Sequence, residues 1–177
     1  MINQTENKAV GLLSERLALI CGYSSKKATK IKWAAEYHDI GKFLLPQEIL
    51  HKPDKLSPAE FEIMKMHTFY GAMLLSSMPG ELGKLSMEIA LMHHEWYNGQ
   101  GYLGFKTSYF PMYIGIVSIC DVYCALVSER AYKSSWTAYE ALRYIENRAG
   151  TQFCPKIINA FSSLFRCNGC NDVFQIF

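Results

Sequence analysis

Polar residues able to do chemistry recur along this chain at nearly constant intervals: His38-Asp39, His67, His93-His94 and Asp121 are separated by 29, 26 and 27 residues. An interval of that size is about one helix plus one connection in a helical bundle. Each helix would then deliver one polar contribution to a common interior point. Imidazoles and carboxylates are what iron, manganese and zinc bind, and an aspartate with two oxygens can bridge a pair of metals. The spacing points to a metal site within a bundle.

The apolar pattern agrees with this. Val10, Leu13, Leu17 and Ile20 recur at helical spacing and predict a helix over about 3–21, ended by Gly22. A second helix, capped by Ser24 or Ser25, is expected to run through Ile31, Trp33 and Ala35 to His38-Asp39, before Gly41 and Pro46 break the pattern. The clearest start is Ser57-Pro58-Ala59-Glu60, with an N-cap, a proline at the first helical position and a glutamate to close a capping box. That helix should carry His67 and reach about Ser77. The next, at about 82–96, holds His93-His94; neighbours on a helix differ by about 100° in direction, so both rings can face one site only near a helix end or at its edge. A long apolar helix over about 112–128 places Asp121 among Ile119, Cys120 and Val122, where an unpaired carboxylate would cost several kcal/mol. Helices at 137–149 and 155–165 complete the pattern, with no strand-period run. The fold class is all-α, a compact bundle of six or seven helices.

With half of its 177 residues apolar, the chain can bury one substantial core, expected over 1–165 with a tail at 166–177. The 18 basic and 16 acidic side chains leave a net charge of +2, without the basic stripe that grips a nucleic-acid polymer. No signal peptide or membrane-length apolar run is apparent, so the expected location is the cytoplasm. The six cysteines sit mostly in apolar periodic segments and read as small hydrophobes; Cys167 and Cys170 form a single C-x-x-C, read as tail cysteines, and His51 reads as a surface residue.

These motifs resemble the HD-GYP subgroup of the HD-domain phosphohydrolase superfamily over about residues 6–161. The resemblance rests on HDIGK at 38–42, the P-x-x-IL-x-KP-x-KL run around 46–56, and Glu60, His67 and Gly71 at family spacing. It continues with HHE and G-x-GY from His93 to Tyr102, DVY-x-AL from Asp121 to Leu126, and R-x-YK from Arg130 to Lys133. It implies an HD-domain bundle and a bacterial signalling enzyme, a metal-dependent phosphodiesterase of cyclic dinucleotides, with cyclic di-GMP the first expectation and cyclic GMP-AMP the second. Two divalent metals, iron or manganese, are implied: one held by His38, Asp39 and Asp121, the other by Asp39, His67, His93 and His94. Asp39 would bridge them, and a metal-bridging hydroxide would attack phosphorus. Lys42 would stabilise charge on the phosphate, and Arg130 and Lys133 would contact substrate phosphates. Asp39 and Lys42 are thus the implied catalytic residues.

Several positions depart from the family. The usual first histidine ligand, 32 residues before His38, is Glu6, a carboxylate that could substitute; GYP reads Gly101-Tyr102-Leu103, the aspartate of the DG pair is Asn98, and later aspartates are Cys124 and Cys154. The second metal keeps all its expected histidines, whereas the first has Glu6. These departures motivate an alternative, a weakly active or inactive module that binds a cyclic dinucleotide, or a partner protein through the Gly101-Tyr102-Leu103 loop, and signals. Another nucleotide phosphate is a third possible substrate.

Overall fold

The structure, a computed structural model, describes residues 4–105, 110–128 and 135–166, and within them every named element is a helix. The elements are α1 (Gln4–Ile20), α2 (Ser25–Glu36), a 3-10 segment (Ile40–Leu44), α3 (Gln47–Leu50), α4 (Pro58–Leu75), α5 (Gly80–Met92), α6 (Met112–Val127), α7 (Ala138–Glu146) and α8 (Pro155–Arg166). The four-residue α3 and the 3-10 segment were not legible from periodicity, because each is too short to show one. No described helix is long and apolar enough to cross a membrane. Arg130, Lys133, Cys167 and Cys170 lie outside the described residues.

The core forms around α6, whose Ile114, Ile116, Val117, Ile119, Cys120, Tyr123 and Cys124 are all buried. A helix apolar around most of its circumference has to sit inside the bundle. Helix α1 packs along α2 and α6 through Val10, Leu13 and Leu17, and α5 lies against α2 and α4 through Leu85 and Ile89. Helices α7 and α8 close the far side with Ile145, Ile157 and Phe161. Each such side chain contributes roughly 1.5–3 kcal/mol when fully removed from water.

Helix ends decide where the polar residues stand. Ser57 and Thr137 each cap a helix with a complete capping box, to Glu60 and Glu140. Helix α2 stops at Glu36, short of the His38-Asp39 end expected from the sequence. From there the chain tightens into three-residue bonds: the amides of Tyr37 and His38 donate to Ala34 and Ala35 at 3.2 Å each, and Lys42 donates to Asp39 at 3.0 Å. The overwound 3-10 turn carries His38 and Asp39 off the helix. Likewise α5 ends at Met92, with His93 as its C-cap, and α7 ends at Glu146 where the sequence pattern ran on to Ala149.

Two glycines bring the His38-Asp39 turn close to α4. A Cβ on Gly41 would stand 1.9 Å from the carbonyl oxygen of His67 and 2.4 Å from the amide nitrogen of Gly71, and one on Gly71 would stand 3.4 Å from the Gly41 nitrogen. Backbone therefore crosses backbone here, which only a residue without a side chain allows. That crossing sets Asp39 beside His67.

Candidate metal centre

Six of the residues singled out in the sequence converge. Ligand atoms of Asp39, His67, His93 and His94 lie within 4.8 Å of one another, as do those of His38, His93 and Asp121. The elements that deliver them are the turn after α2, the middle of α4, the end of α5 and the middle of α6. His38, His67 and His93 are each 1% exposed.

The imidazoles are held in one tautomer from behind. His38 Nδ1 lies 2.7 Å from the Ala35 carbonyl, His67 Nδ1 2.7 Å from that of Met64, and His93 Nδ1 3.0 Å from that of Ala90. A carbonyl can only accept, so each Nδ1 carries the proton and each Nε2 faces the cluster. His67 Nε2 and His93 Nε2 are 3.3 Å apart, and Asp39 Oδ1 stands 3.4 Å and 3.7 Å from them. Burial, the neighbouring imidazoles and, for His67, Lys42 keep both rings below their ordinary pKa, although Asp39 and Asp121 pull the other way; both are neutral with bare Nε2 lone pairs. Asp39 Oδ1 is buried and has no hydrogen-bond partner among the described residues. Three lone-pair-bearing atoms thus point at one another, an arrangement that a divalent cation satisfies and that a plain polar core avoids.

The other half is organised by charge. His38 Nε2 lies 3.5 Å from Asp39 Oδ2 and 3.4 Å from Asp121 Oδ1. Burial resists a charge on His38, but Asp39 and Asp121 outweigh it and push its pKa up to about 9. Burial also opposes charge on the two aspartates; His38 and Lys42 nevertheless hold Asp39, and His38 holds Asp121, well below the usual carboxylate range. Lys42 Nζ pairs with Asp39 Oδ2. The second geometric set includes His93 where the resemblance implied Asp39, while Asp39 Oδ2 stays beside His38.

The His93-His94 pair converges because α5 has ended. Past Met92 the amide of Glu95 donates to the Met92 carbonyl at 2.8 Å, and the ring centroids of His93 and His94 lie 5.3 Å and 5.2 Å from that of His67. Glu6 is outside both converging sets. It lies half-buried on the first turn of α1, on the side of Cys124, whose thiol is pushed up by burial and by Cys120, Asp121 and Glu6. Asn98 is exposed, and its side-chain oxygen accepts the Gln100 amide at 3.0 Å, a turn that asparagine makes as well as aspartate does. His51 is exposed after α3.

Sequence reasoning gave no role to Glu95, which is 1% exposed and accepts the amides of Leu103 at 2.5 Å and Phe105 at 3.1 Å. Its signal was available: a glutamate adjoining two buried histidines needs partners of its own.

Proton linkage gives a first prediction. With its pKa pushed up to about 9, His38 holds a second proton, on Nε2, at neutral pH, and a ring that ligates through Nε2 must lose it. Metal binding should therefore release at least one proton at neutral pH, with affinity rising as pH rises toward about 9 and levelling above. Calorimetry in buffers of different ionisation enthalpy measures the release; affinity that does not change with pH would contradict it.

Residues 2–157 match the family model described as HD domain. Over 165 residues the chain is 42% identical to the cyclic di-GMP phosphodiesterase of Thermotoga maritima, covering 93% of this chain and 45% of that protein. It is 37% identical over 150 residues to the 3'3'-cGAMP-specific phosphodiesterase 2 of Vibrio cholerae, covering 84% of this chain and 29% of that protein. The chain thus spans under half the length of these curated relatives. Among solved structures, an HDG"Y"P protein of Bdellovibrio bacteriovorus superposes with a TM-score of 0.70 at 20% identity, covering 91% of this chain and 51% of that one, a likeness of fold.

Proposed function

This chain belongs to the HD-domain family, in its HD-GYP subgroup, and from that premise we propose that it is a metal-dependent phosphodiesterase that hydrolyses a cyclic dinucleotide. The observation that carries the reading is the buried Asp39 Oδ1, without a hydrogen-bond partner among the described residues, facing the Nε2 atoms of His67 and His93. We assign one divalent ion to Asp39, His67, His93 and His94, and a second to His38 and Asp121 with Asp39 or His93 shared. The mixed imidazole and carboxylate set suits iron or manganese. Bound ions would supply Lewis acidity toward phosphoryl oxygens and lower the pKa of a coordinated water.

The protein's own groups do the rest. Carbonyls behind the three rings keep the donor atoms aimed without reorganisation, and the low exposure of the site strengthens each charge within it. Lys42 holds its ammonium at the edge of the cluster, where it would oppose negative charge on the equatorial phosphate oxygens. Arg130 and Lys133 are proposed to grip the substrate's phosphates.

Relatives named for cyclic di-GMP and for 3'3'-cGAMP make these the first and second substrates to test. With manganese or iron(II) supplied, we expect conversion of cyclic di-GMP to a linear dinucleotide, with slower turnover of 3'3'-cGAMP. Failure to turn over any member of a cyclic-dinucleotide panel would overturn the reading.

One observation favours the weakly catalytic alternative: Glu6 stands outside both converging sets, so the His38 half has fewer ligands among the described residues. Tight dinucleotide binding without turnover would identify that case. A partner protein is proposed to meet the loop at Gly101-Tyr102-Leu103, where Leu103 and Phe105 are exposed. The free thiols of Cys21, Cys120, Cys124 and Cys154 suit a reducing compartment, which supports a cytoplasmic location.

A further inference from the structure

His94 differs from the other three cluster histidines. They are each steered by a main-chain carbonyl behind Nδ1, whereas His94, among the described residues, makes no side-chain hydrogen bond. What touches its ring is aromatic: His93 with centroids 4.0 Å apart, His67 at 5.2 Å, and Tyr102 at 4.6 Å and tilted by 36°. Tyr102 is the one of these that arrives from a loop, so something must fix the loop.

The fixing group is Glu95, the residue next to His94 in sequence. Its carboxylate is buried without a cationic partner among the described residues, a costly placement unless strong donors meet it. The amides of Leu103 and Phe105 supply them, one to each oxygen, on the C-terminal side of Tyr102. On the other side, Gly101 lies against the backbone of the same segment: a Cβ there would stand 2.5 Å from Glu95 Cα and 2.6 Å from the His94 carbonyl oxygen. The start of the loop is tied separately, with the Tyr97 and Asn98 amides donating to Gln152 and Thr151 at 3.0 Å each. From α4, Phe61 meets the Tyr102 ring edge-on at 5.8 Å and the Lys65 ammonium stands 5.6 Å from its centroid. Tyr102 is thereby held over His94 from several directions.

We infer that Glu95 is a positioning residue: its buried carboxylate clamps the 99–105 loop so that the Tyr102 ring orients His94 toward the metal centre, the task that carbonyls perform for His38, His67 and His93. Two χ angles leave an imidazole free to turn unless something packs against it, and a ligand that must first be ordered binds metal more weakly. The inference rests on the metal-centre reading, and it names the ring rather than the phenol hydroxyl as the part that acts.

The test uses the full chain and manganese alone, and reads free manganese by electron paramagnetic resonance. Tyr102→Ala and Glu95→Gln should each weaken manganese affinity about tenfold, the low end of what loss of an outer support costs a metal site. Tyr102→Phe, which keeps the ring, should stay within about twofold of the parent. Glu95→Gln should add little in a Tyr102→Ala background, because Glu95 acts through that ring. In the metal-free protein, the His94 ring protons should carry a ring-current shift that survives in Tyr102→Phe and is lost in Tyr102→Ala and in Glu95→Gln. Tyr102→Ala binding manganese as the parent does, Tyr102→Phe as impaired as Tyr102→Ala, or Glu95→Gln leaving the ring shift unchanged would each overturn the inference. A parent protein that took up no manganese would instead contradict the metal-centre reading, while the ring-shift comparison would still decide this one.

Discussion

Replacing Asp39 by alanine is expected to abolish stoichiometric metal binding and to lower turnover by at least about a thousandfold while leaving the protein folded. Asp39 is the residue through which both halves of the cluster communicate: Oδ1 faces His67 and His93, and Oδ2 faces His38 and Lys42. Without it, His67 loses its anionic partner, and His38 and His93 keep only Asp121. The fold should survive because Oδ1 makes no hydrogen bond among the described residues, the contacts forfeited are those of Oδ2 with Lys42 and His38, and His38 keeps Asp121. Asp39→Asn should fail almost as completely. It preserves shape, but it lacks the charge and turns an N–H donor toward the cluster or the lysine. Elemental analysis, a turnover assay and circular dichroism on the same samples check all three parts. A folded Asp39→Ala protein with full activity would remove the assignment.

Replacing Gly41 by alanine is the second large effect, and it acts through the backbone. The new methyl would sit 1.9 Å from the His67 carbonyl oxygen and 2.4 Å from the Gly71 nitrogen, with rigid helix backbone on the other side. No flexible side chain is there to yield, so the 3-10 turn has to move away from α4. We expect a loss of about 3 kcal/mol in denaturant unfolding, the upper part of the range for overpacking. Metal affinity should fall with it, because the shift separates Asp39 from His67. Gly71→Ala is the internal comparison: its methyl meets Ala90 Cβ at 3.2 Å and the Gly41 nitrogen at 3.4 Å, so the cost should be clearly smaller. Equal effects of the two substitutions would contradict the crossing geometry as the cause.

How much of this was legible in the sequence depended on whether a feature was local. The capping boxes at Ser57 and Thr137 are local, and both helices start where those residues place them. Angular geometry asked for a helix end or edge at His93-His94, and α5 ends at Met92, before the pair and short of the expected end near residue 96. The convergence of six ligand candidates followed from their intervals and the family motifs. The end of α2 was misplaced, because nothing at residues 36–39 is a helix breaker in itself; the turn is imposed by the packing of Gly41 on α4. Glu95 was passed over for a similar reason. Its partners are main-chain amides, which leave no mark in a sequence. Glu6 held the family's ligand position in the alignment of motifs, yet its side chain lies outside both converging sets, since alignment fixes where a helix passes and not where a shorter or longer side chain reaches.

The most direct test of the central claim is metal content measured by elemental analysis on protein purified without chelators, with cyclic di-GMP turnover measured on the same preparation. The account predicts iron or manganese bound at one to two ions per chain, with turnover rising in proportion to occupancy and disappearing on chelation. Turnover that persists in protein stripped of metal, or full metal occupancy with no turnover of any cyclic dinucleotide, would contradict it.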